Sequence, residues 1–143
     1  MGFEKGKLLI NRYEYDFSVD GGAVGAIAFR NKGNNDLVAG CVIKRMYLIA
    51  ETAVTSGGTP TMVIGNTADA DGYFADIFAL VTTGAKLAVG QGEVAGDLIF
   101  DDTNDHAIDY KLGAANTLDI NLTVGTAALT AGKISLFVEF YRV

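Results

Sequence analysis

The chain is poor in the residues on which most catalytic sites depend. Its 143 residues include no tryptophan, one proline, one histidine and one cysteine. Cysteine–histidine catalysis requires a thiol, an imidazole and an orienting group in one place, whereas Cys41 and His106 belong to unrelated segments. We interpret Cys41 as a small buried hydrophobe at the start of an apolar strand, and His106 as a solvated residue of an acidic loop. This scarcity of catalytic residue types predicts that the protein is not an enzyme.

A glycosidase needs only a pair of carboxylates. Acidic residues are plentiful in this chain, so its composition does not exclude a glycosidase. The missing tryptophan argues against it, because sugar-binding clefts usually contain aromatic platforms. One domain of this length also has little room for a deep cleft.

Basic residues are in the minority. Eleven lysines and arginines face 17 acidic residues, which gives a net charge of -6. Affinity for nucleic acid comes mainly from basic surfaces that neutralise phosphate, so we expect no direct nucleic-acid partner. No stretch approaches the roughly 20 apolar residues that span a bilayer, and no signal-peptide core follows the first residues. We therefore expect a protein that is made in a cytoplasm and has no membrane partner.

One acidic loop has ligands that suit a hard cation. Asp101, Asp102 and Asp105 place three carboxylates within five residues, as Ca²⁺ prefers. The alternative is that these side chains form turns by bonding to nearby backbone groups. We expect no cofactor and keep this loop as the one weak calcium candidate. A second loop at Asp69 and Asp71 begins like a calcium loop but lacks the distal glutamate.

Strand patterns dominate the chain. Tyr13, Tyr15 and Phe17 alternate with polar residues, as expected for a strand with one buried face. The same two-residue period recurs over residues 118–124 and 134–141. Further strands are predicted at residues 24–30, 41–54, 61–66, 86–89 and 107–112, with 41–54 and 61–66 paired as a hairpin. The one plausible helix covers residues 67–80, where apolar residues recur at roughly helical spacing.

These elements predict one domain over residues 1–143. Its fold class is all-β: an antiparallel β-sandwich of jelly-roll type with at most one short helix. Residues 1–10 are either a first strand with a frayed terminus or an N-terminal arm that docks on a partner through Phe3, Lys5, Lys7 and Leu8.

The second face of the last strand carries large aromatic side chains. Ile134, Leu136 and Val138 supply one apolar face, yet Phe137 and Tyr141 lie on the other. A strand that is wet on one side does not usually place aromatic residues there. Either another part of the chain covers them or another subunit does. Phe137 and Tyr141 are therefore the candidate residues of an oligomer interface.

Three segments resemble small virion proteins of tailed bacteriophages, and in particular capsid decoration (cement) proteins. The resemblance lies in the runs YDFSVDGGAVG, VIK followed by TSGG, and TAALTAGK followed by FVEF, at residues 15–25, 42–58 and 126–140. It covers both ends and the middle of the chain but not residues 67–112.

The resemblance implies a virion protein without catalytic residues, located on the outer capsid surface and made in the host cytoplasm. Its implied partners are other copies of itself, as a homotrimer, and the major capsid protein. A tail- or fibre-associated module that binds a glycan receptor is the alternative, since it would share the fold and composition.

Overall fold

A computed structural model describes residues 7–82, 86–89, 100–101, 106–107 and 109–142. These residues form eleven strands, two four-residue helices and one 3-10 turn at Ala115–Thr117. The elements in chain order are β1 (Leu8–Asp16), α1 (Phe17–Asp20), β2 (Gly25–Ala28), β3 (Arg30–Asn31), β4 (Val42–Ser56), β5 (Thr61–Gly65), α2 (Phe78–Val81), β6 (Lys86–Val89), β7 (Phe100–Asp101), β8 (His106–Ala107), β9 (Tyr110–Lys111), β10 (Asn121–Gly125) and β11 (Leu129–Tyr141).

The strands form two principal sheets in which every pairing is antiparallel. The large sheet has the order β3-β1-β11-β4-β6, and β9 also pairs with β4. The small sheet has the order β2-β10-β5, and β7 pairs with β8 as a separate ribbon. The predicted all-β sandwich of antiparallel strands is confirmed. The jelly-roll connection stays a prediction.

The core lies between the two sheets and follows from side-chain alternation. On β11, Ile134, Leu136, Val138 and Phe140 are fully buried, as their two-residue period predicts. Buried side chains from β4 and from the small sheet complete the same cluster: Met46, Leu48, Met62, Ile64, Leu122 and Val124.

Two predicted strands are interrupted. Residues 24–30 divide into β2 in the small sheet and β3 in the large sheet. The buried Phe29 lies where the chain passes between the sheets. Residues 107–112 likewise divide, because β8 pairs with β7 while β9 pairs with β4. The sequence predicts a loop at His106, but the backbone of this residue belongs to β8.

The predicted hairpin between residues 41–54 and 61–66 is wrong. β5 pairs with β10 in the small sheet and not with β4. The reason is that both edges of β4 are already occupied, by β11 on one side and by β6 and β9 on the other. The connection after Ser56 therefore carries the chain across to the opposite sheet.

The predicted helix at residues 67–80 is also wrong for most of its length. Only α2 at its end is helical, and it lasts a single turn. Tyr73 and Phe74 lie instead along the edge of β5, where their backbone N–H groups donate to the Ile64 carbonyl at 2.9 Å. Ile77 continues this contact by donating to the Met62 carbonyl at 2.8 Å. The apolar spacing arises because these side chains cover a strand edge.

Several sequence predictions concern residues beyond the described ones. Phe3, Lys5, Asp102 and Asp105 lie outside the described residues, and Asp101 is described only as part of β7. The calcium site and the docking role of the arm stay predictions. Among the described residues, no helix is long and apolar enough to cross a membrane.

Candidate functional site

The outer face of the large sheet is the surface to which the sequence analysis points. Because β11 alternates, Ser135, Phe137, Glu139 and Tyr141 point away from the core. The strands on either side of β11 place their own outward residues next to these. Arg12 and Tyr47 flank Phe137, while Leu8 pairs with Tyr141.

Aromatic side chains on this face contact one another. The rings of Tyr47 and Phe137 stack with their centroids 5.2 Å apart and an interplanar angle of 15°. The Arg45 guanidinium lies 5.3 Å from the centroid of Tyr47 and donates to Glu139 at 2.6 Å. These contacts hold flat rings on the sheet surface while leaving them partly exposed to solvent.

Aliphatic side chains of β1 extend the aromatic surface to the sheet edge. Leu8 is 44% exposed and Ile10 is 51% exposed. We use the name outer strip for five residues of this face: Leu8, Ile10, Tyr47, Phe137 and Tyr141. Among the described residues, Lys44 and Arg45 lie over the rings of Tyr141 and Tyr47, so the strip is a partly exposed surface in which apolar groups are interrupted by charged ones. Such surfaces commonly mark interaction sites.

A charged cluster occupies the rest of the outer face. The Glu14 carboxylate, whose side chain is 10% exposed, lies 3.1 Å from Arg30, 3.4 Å from Arg12 and 3.7 Å from Lys133. Ser135 donates to Glu51 at 2.7 Å. That hydrogen bond, with help from Lys133, lowers the pKa of Glu51. Among the described residues, the charges of this region are therefore paired with one another.

The structure brings together residues that the sequence analysis treated as two separate sites. Phe137 and Tyr141, the predicted interface, lie on β11. Leu8, assigned to the predicted arm, starts β1 directly opposite Tyr141. Leu8–Ile10 are thus part of the sheet, and an arm is confined to the residues before them. Cys41 is buried, as expected from its apolar surroundings.

Two members of the outer strip were missed in the sequence. Tyr47 lies in the long strand β4, which carries apolar residues on both faces. That pattern could have indicated that an outward-facing residue of β4 belongs to an interaction surface. The exposure of Ile10 could not be predicted from the sequence, because it depends on which face of β1 points outward. Register with β11 decides that orientation.

A cleft of about 440 Å³ opens on another part of the molecule, where the chain passes from β2 to β3. Its floor is mainly apolar and its rim carries Asp36, Asp119 and Asn31. The apolar lining residues are Tyr13, Ala28, Phe29, Leu37, Val38, Leu118 and Ile120. Burial raises the pKa of Tyr13, so its phenol stays protonated at neutral pH.

Asp119 is held at the rim of the cleft by three donors. The backbone N–H of Thr67 donates to it at 3.1 Å, Asn121 donates at 2.7 Å, and the Thr67 hydroxyl also donates. Burial by itself raises the pKa of Asp119, but these hydrogen bonds outweigh burial and lower the pKa below 3.8. The carboxylate therefore stabilises the fold above its unfolded pKa, and this contribution is lost as the pH falls through the folded pKa.

We expect Asp119→Asn to lower the unfolding free energy at neutral pH by about 1 kcal/mol, after allowance for solvent screening. The variant should also lose less stability than the parent when the pH falls from about 5 to about 3. Thermal unfolding at a series of pH values measures both effects. Asp71→Asn, an exposed acid of the neighbouring turn, is the control. Parallel pH profiles for Asp119→Asn and the parent would contradict the assignment.

Comparison with known proteins gives a fold and no family. No protein-family model matches the chain, and no curated protein matches it. Among solved structures, a chain of the cyanophage Pam1 capsid asymmetric unit matches with a TM-score of 0.67 at 15% identity, covering 100% of this chain and 89% of that chain. A chain of the acidic stable capsid structure of Helicobacter pylori bacteriophage KHP30 matches with a TM-score of 0.55 at 16% identity, covering 94% and 86%. At these identities, the likeness shows a shared fold.

Proposed function

We propose that this protein is a structural component of a tailed-bacteriophage virion that decorates and cements the outer surface of the capsid. The observation that carries the proposal is the fold likeness to a chain of the Pam1 capsid asymmetric unit over 89% of that chain's length. A match of that extent means that the similar chain is itself a small protein of this size. A second phage capsid structure contains a chain of the same fold.

The outer strip supports a role that depends on protein contacts. Its aromatic rings are held in place by neighbouring side chains and need no rearrangement before a partner binds. Aromatic residues and arginine are enriched at protein interfaces, because they bury large areas at low cost in conformational entropy. We propose that the strip is buried between copies of this chain in a homotrimer.

Cementing follows from repetition of weak contacts. A trimer that touches several major capsid proteins at once links its contacts through effective concentration, so each contact need contribute little. The shell resists the pressure of packed DNA through many such bridges. The net charge of -6 agrees with a partner that is protein and not DNA.

The test uses the full-length chain and heads of its phage that lack small outer proteins. Light scattering after size exclusion gives the mass, which we expect to be that of a trimer. Mixing with heads should give saturable co-sedimentation and a higher temperature of head disruption. Failure to bind heads, combined with binding to tails or to a glycan array, would replace this proposal with the tail-associated receptor-binding module.

A further inference from the structure

The cleft at the crossing from β2 to β3 combines an apolar floor with an acidic rim. Phe29 and Ile120 are buried in the floor, while the carboxylates of Asp36 and Asp119 lie at the rim. None of the ten residues that line the cleft is basic. Its volume of about 440 Å³ falls within the range of natural ligand sites. The cleft is therefore a recess of one charge sign that can hold a side chain of another molecule.

Hydrogen bonds hold the rim in place. The side-chain amide of Asn31 donates to the Asp36 carboxylate at 2.7 Å, and Arg142 donates to the Asp36 backbone carbonyl at 3.2 Å. Asn35 of the same loop donates from its side chain to the Ile10 carbonyl at 3.4 Å. These contacts tie the rim to the start of β1 and to the residue after β11, so the cleft is formed before a partner binds.

Asp36 can bind a further group. Its side chain is exposed, and only one of its two carboxylate oxygens accepts a hydrogen bond from a described residue. Burial is the main cause of the raised pKa of Tyr13 in the floor, and the charge of Asp36 raises it further, so this carboxylate lies near the floor. At Asp119, by contrast, both oxygens already accept hydrogen bonds. A cation at the mouth of the cleft would therefore contact Asp36.

This arrangement favours a positively charged group on an aliphatic stem. Lysine and arginine side chains bury their methylene groups on apolar surface and keep the charged end in water. An anion would be repelled by the two carboxylates. A sugar ring is disfavoured because it usually stacks on an open aromatic face, and Tyr13 and Phe29 are each only 7% exposed. The cleft therefore suits a basic side chain better than a glycan.

We propose that the cleft binds a lysine or arginine side chain of the major capsid protein, with the stem on the apolar floor and the charged end at Asp36. The choice of this partner rests on the proposed function. A second copy of the chain is a poorer source, because its net charge is -6 and several of its basic side chains already pair with its own acids. These paired residues are Arg12, Arg30, Lys44, Arg45 and Lys133.

The first test measures the chemistry of the cleft without a capsid. We expect n-butylguanidinium to cause saturable chemical-shift changes in the full-length protein, centred on the amides of Leu37 and Val38, which line the cleft. Pentanoate, an anion of similar length, should cause none. Asp36→Asn keeps an acceptor for Asn31 but removes the charge, so this variant should bind the cation about threefold more weakly. Equal binding by the variant and the parent, or shifts spread over the other acidic residues, would overturn the proposal.

The second test measures binding to heads of the phage that lack small outer proteins. Asp36→Lys reverses the charge at the mouth of the cleft and should lower the affinity for heads by about tenfold or more. Asp71→Lys makes the same change at an exposed residue that does not line the cleft, and it should bind like the parent. Light scattering and thermal unfolding check that both variants keep the mass and stability of the parent. If Asp36→Lys is unstable, Asp36→Asn takes its place.

The two tests separate the failure of this inference from the failure of the proposed function. If the parent binds heads and Asp36→Lys binds them equally well, the cleft is not the contact. If the parent does not bind heads, the proposed function and the choice of partner are both wrong, while the titration still decides whether the cleft takes a basic side chain. Binding to a glycan array that is lost in Asp36→Lys would assign the cleft to a sugar and overturn the inference.

Discussion

The double variant Phe137→Ala, Tyr141→Ala is expected to reduce the affinity of self-association by about tenfold or more while leaving the β fold intact. Both side chains point away from the core, so their removal leaves the buried face of β11 unchanged. Loss of Phe137 also removes the stacking partner of Tyr47 and leaves a gap in the outer strip. Sedimentation equilibrium measures the affinity, and far-ultraviolet circular dichroism checks the fold.

A charge placed in the strip is a sharper probe of the same surface. Ile10→Lys puts an ammonium group on a half-exposed position opposite Glu139, where it costs the monomer little but must be desolvated in any interface. Val19→Lys introduces the same charge at a position that is 65% exposed and not on the large sheet. We expect Ile10→Lys to prevent self-association and Val19→Lys to leave it unchanged. If both variants assemble like the parent, the outer strip is not the interface.

Substitution of Gly132 by alanine should cause a large loss of stability, because both its backbone conformation and its surroundings disfavour a side chain. Gly132 has a φ of 137°, a conformation that side chains rarely adopt. A Cβ there would lie 2.7 Å from the Val54 Cγ2 and 3.0 Å from the Val54 Cα. Because the second contact is with backbone, a rotamer change cannot relieve it. We expect a loss of about 2–4 kcal/mol in unfolding free energy.

Gly57→Ala is the matched control for this prediction. A Cβ at Gly57 would point into open space, with no atom beyond its chain neighbours within 4 Å, and the residue has no left-handed φ. Its substitution should change stability by less than about 1 kcal/mol in either direction. Urea unfolding of both variants gives the comparison. A Gly132→Ala chain as stable as Gly57→Ala would mean that β4 and β11 pack less closely around the bulges near Gly132 than the structure shows.

The helix predicted at residues 67–80 is wrong because the spacing of apolar residues does not by itself determine secondary structure. Tyr73, Phe74 and Ile77 have the spacing of a helical face, and all three are buried. Their backbones nevertheless bond to β5, because that strand has an edge to be covered. A period in the sequence reports which side chains are buried, but it does not report whether a helix or a strand edge buries them.

The sequence by itself determined the all-β class, the buried face of β11 and the unusual aromatic residues opposite that face. Each depends on alternation along one strand, which is a local property of the backbone. Only the tertiary structure decided that Tyr47 stacks on Phe137 and that Leu8 lies beside Tyr141. The same holds for the cleft that opens where the chain passes from β2 to β3. These features depend on strand order and register, which are set by contacts between residues far apart in the chain.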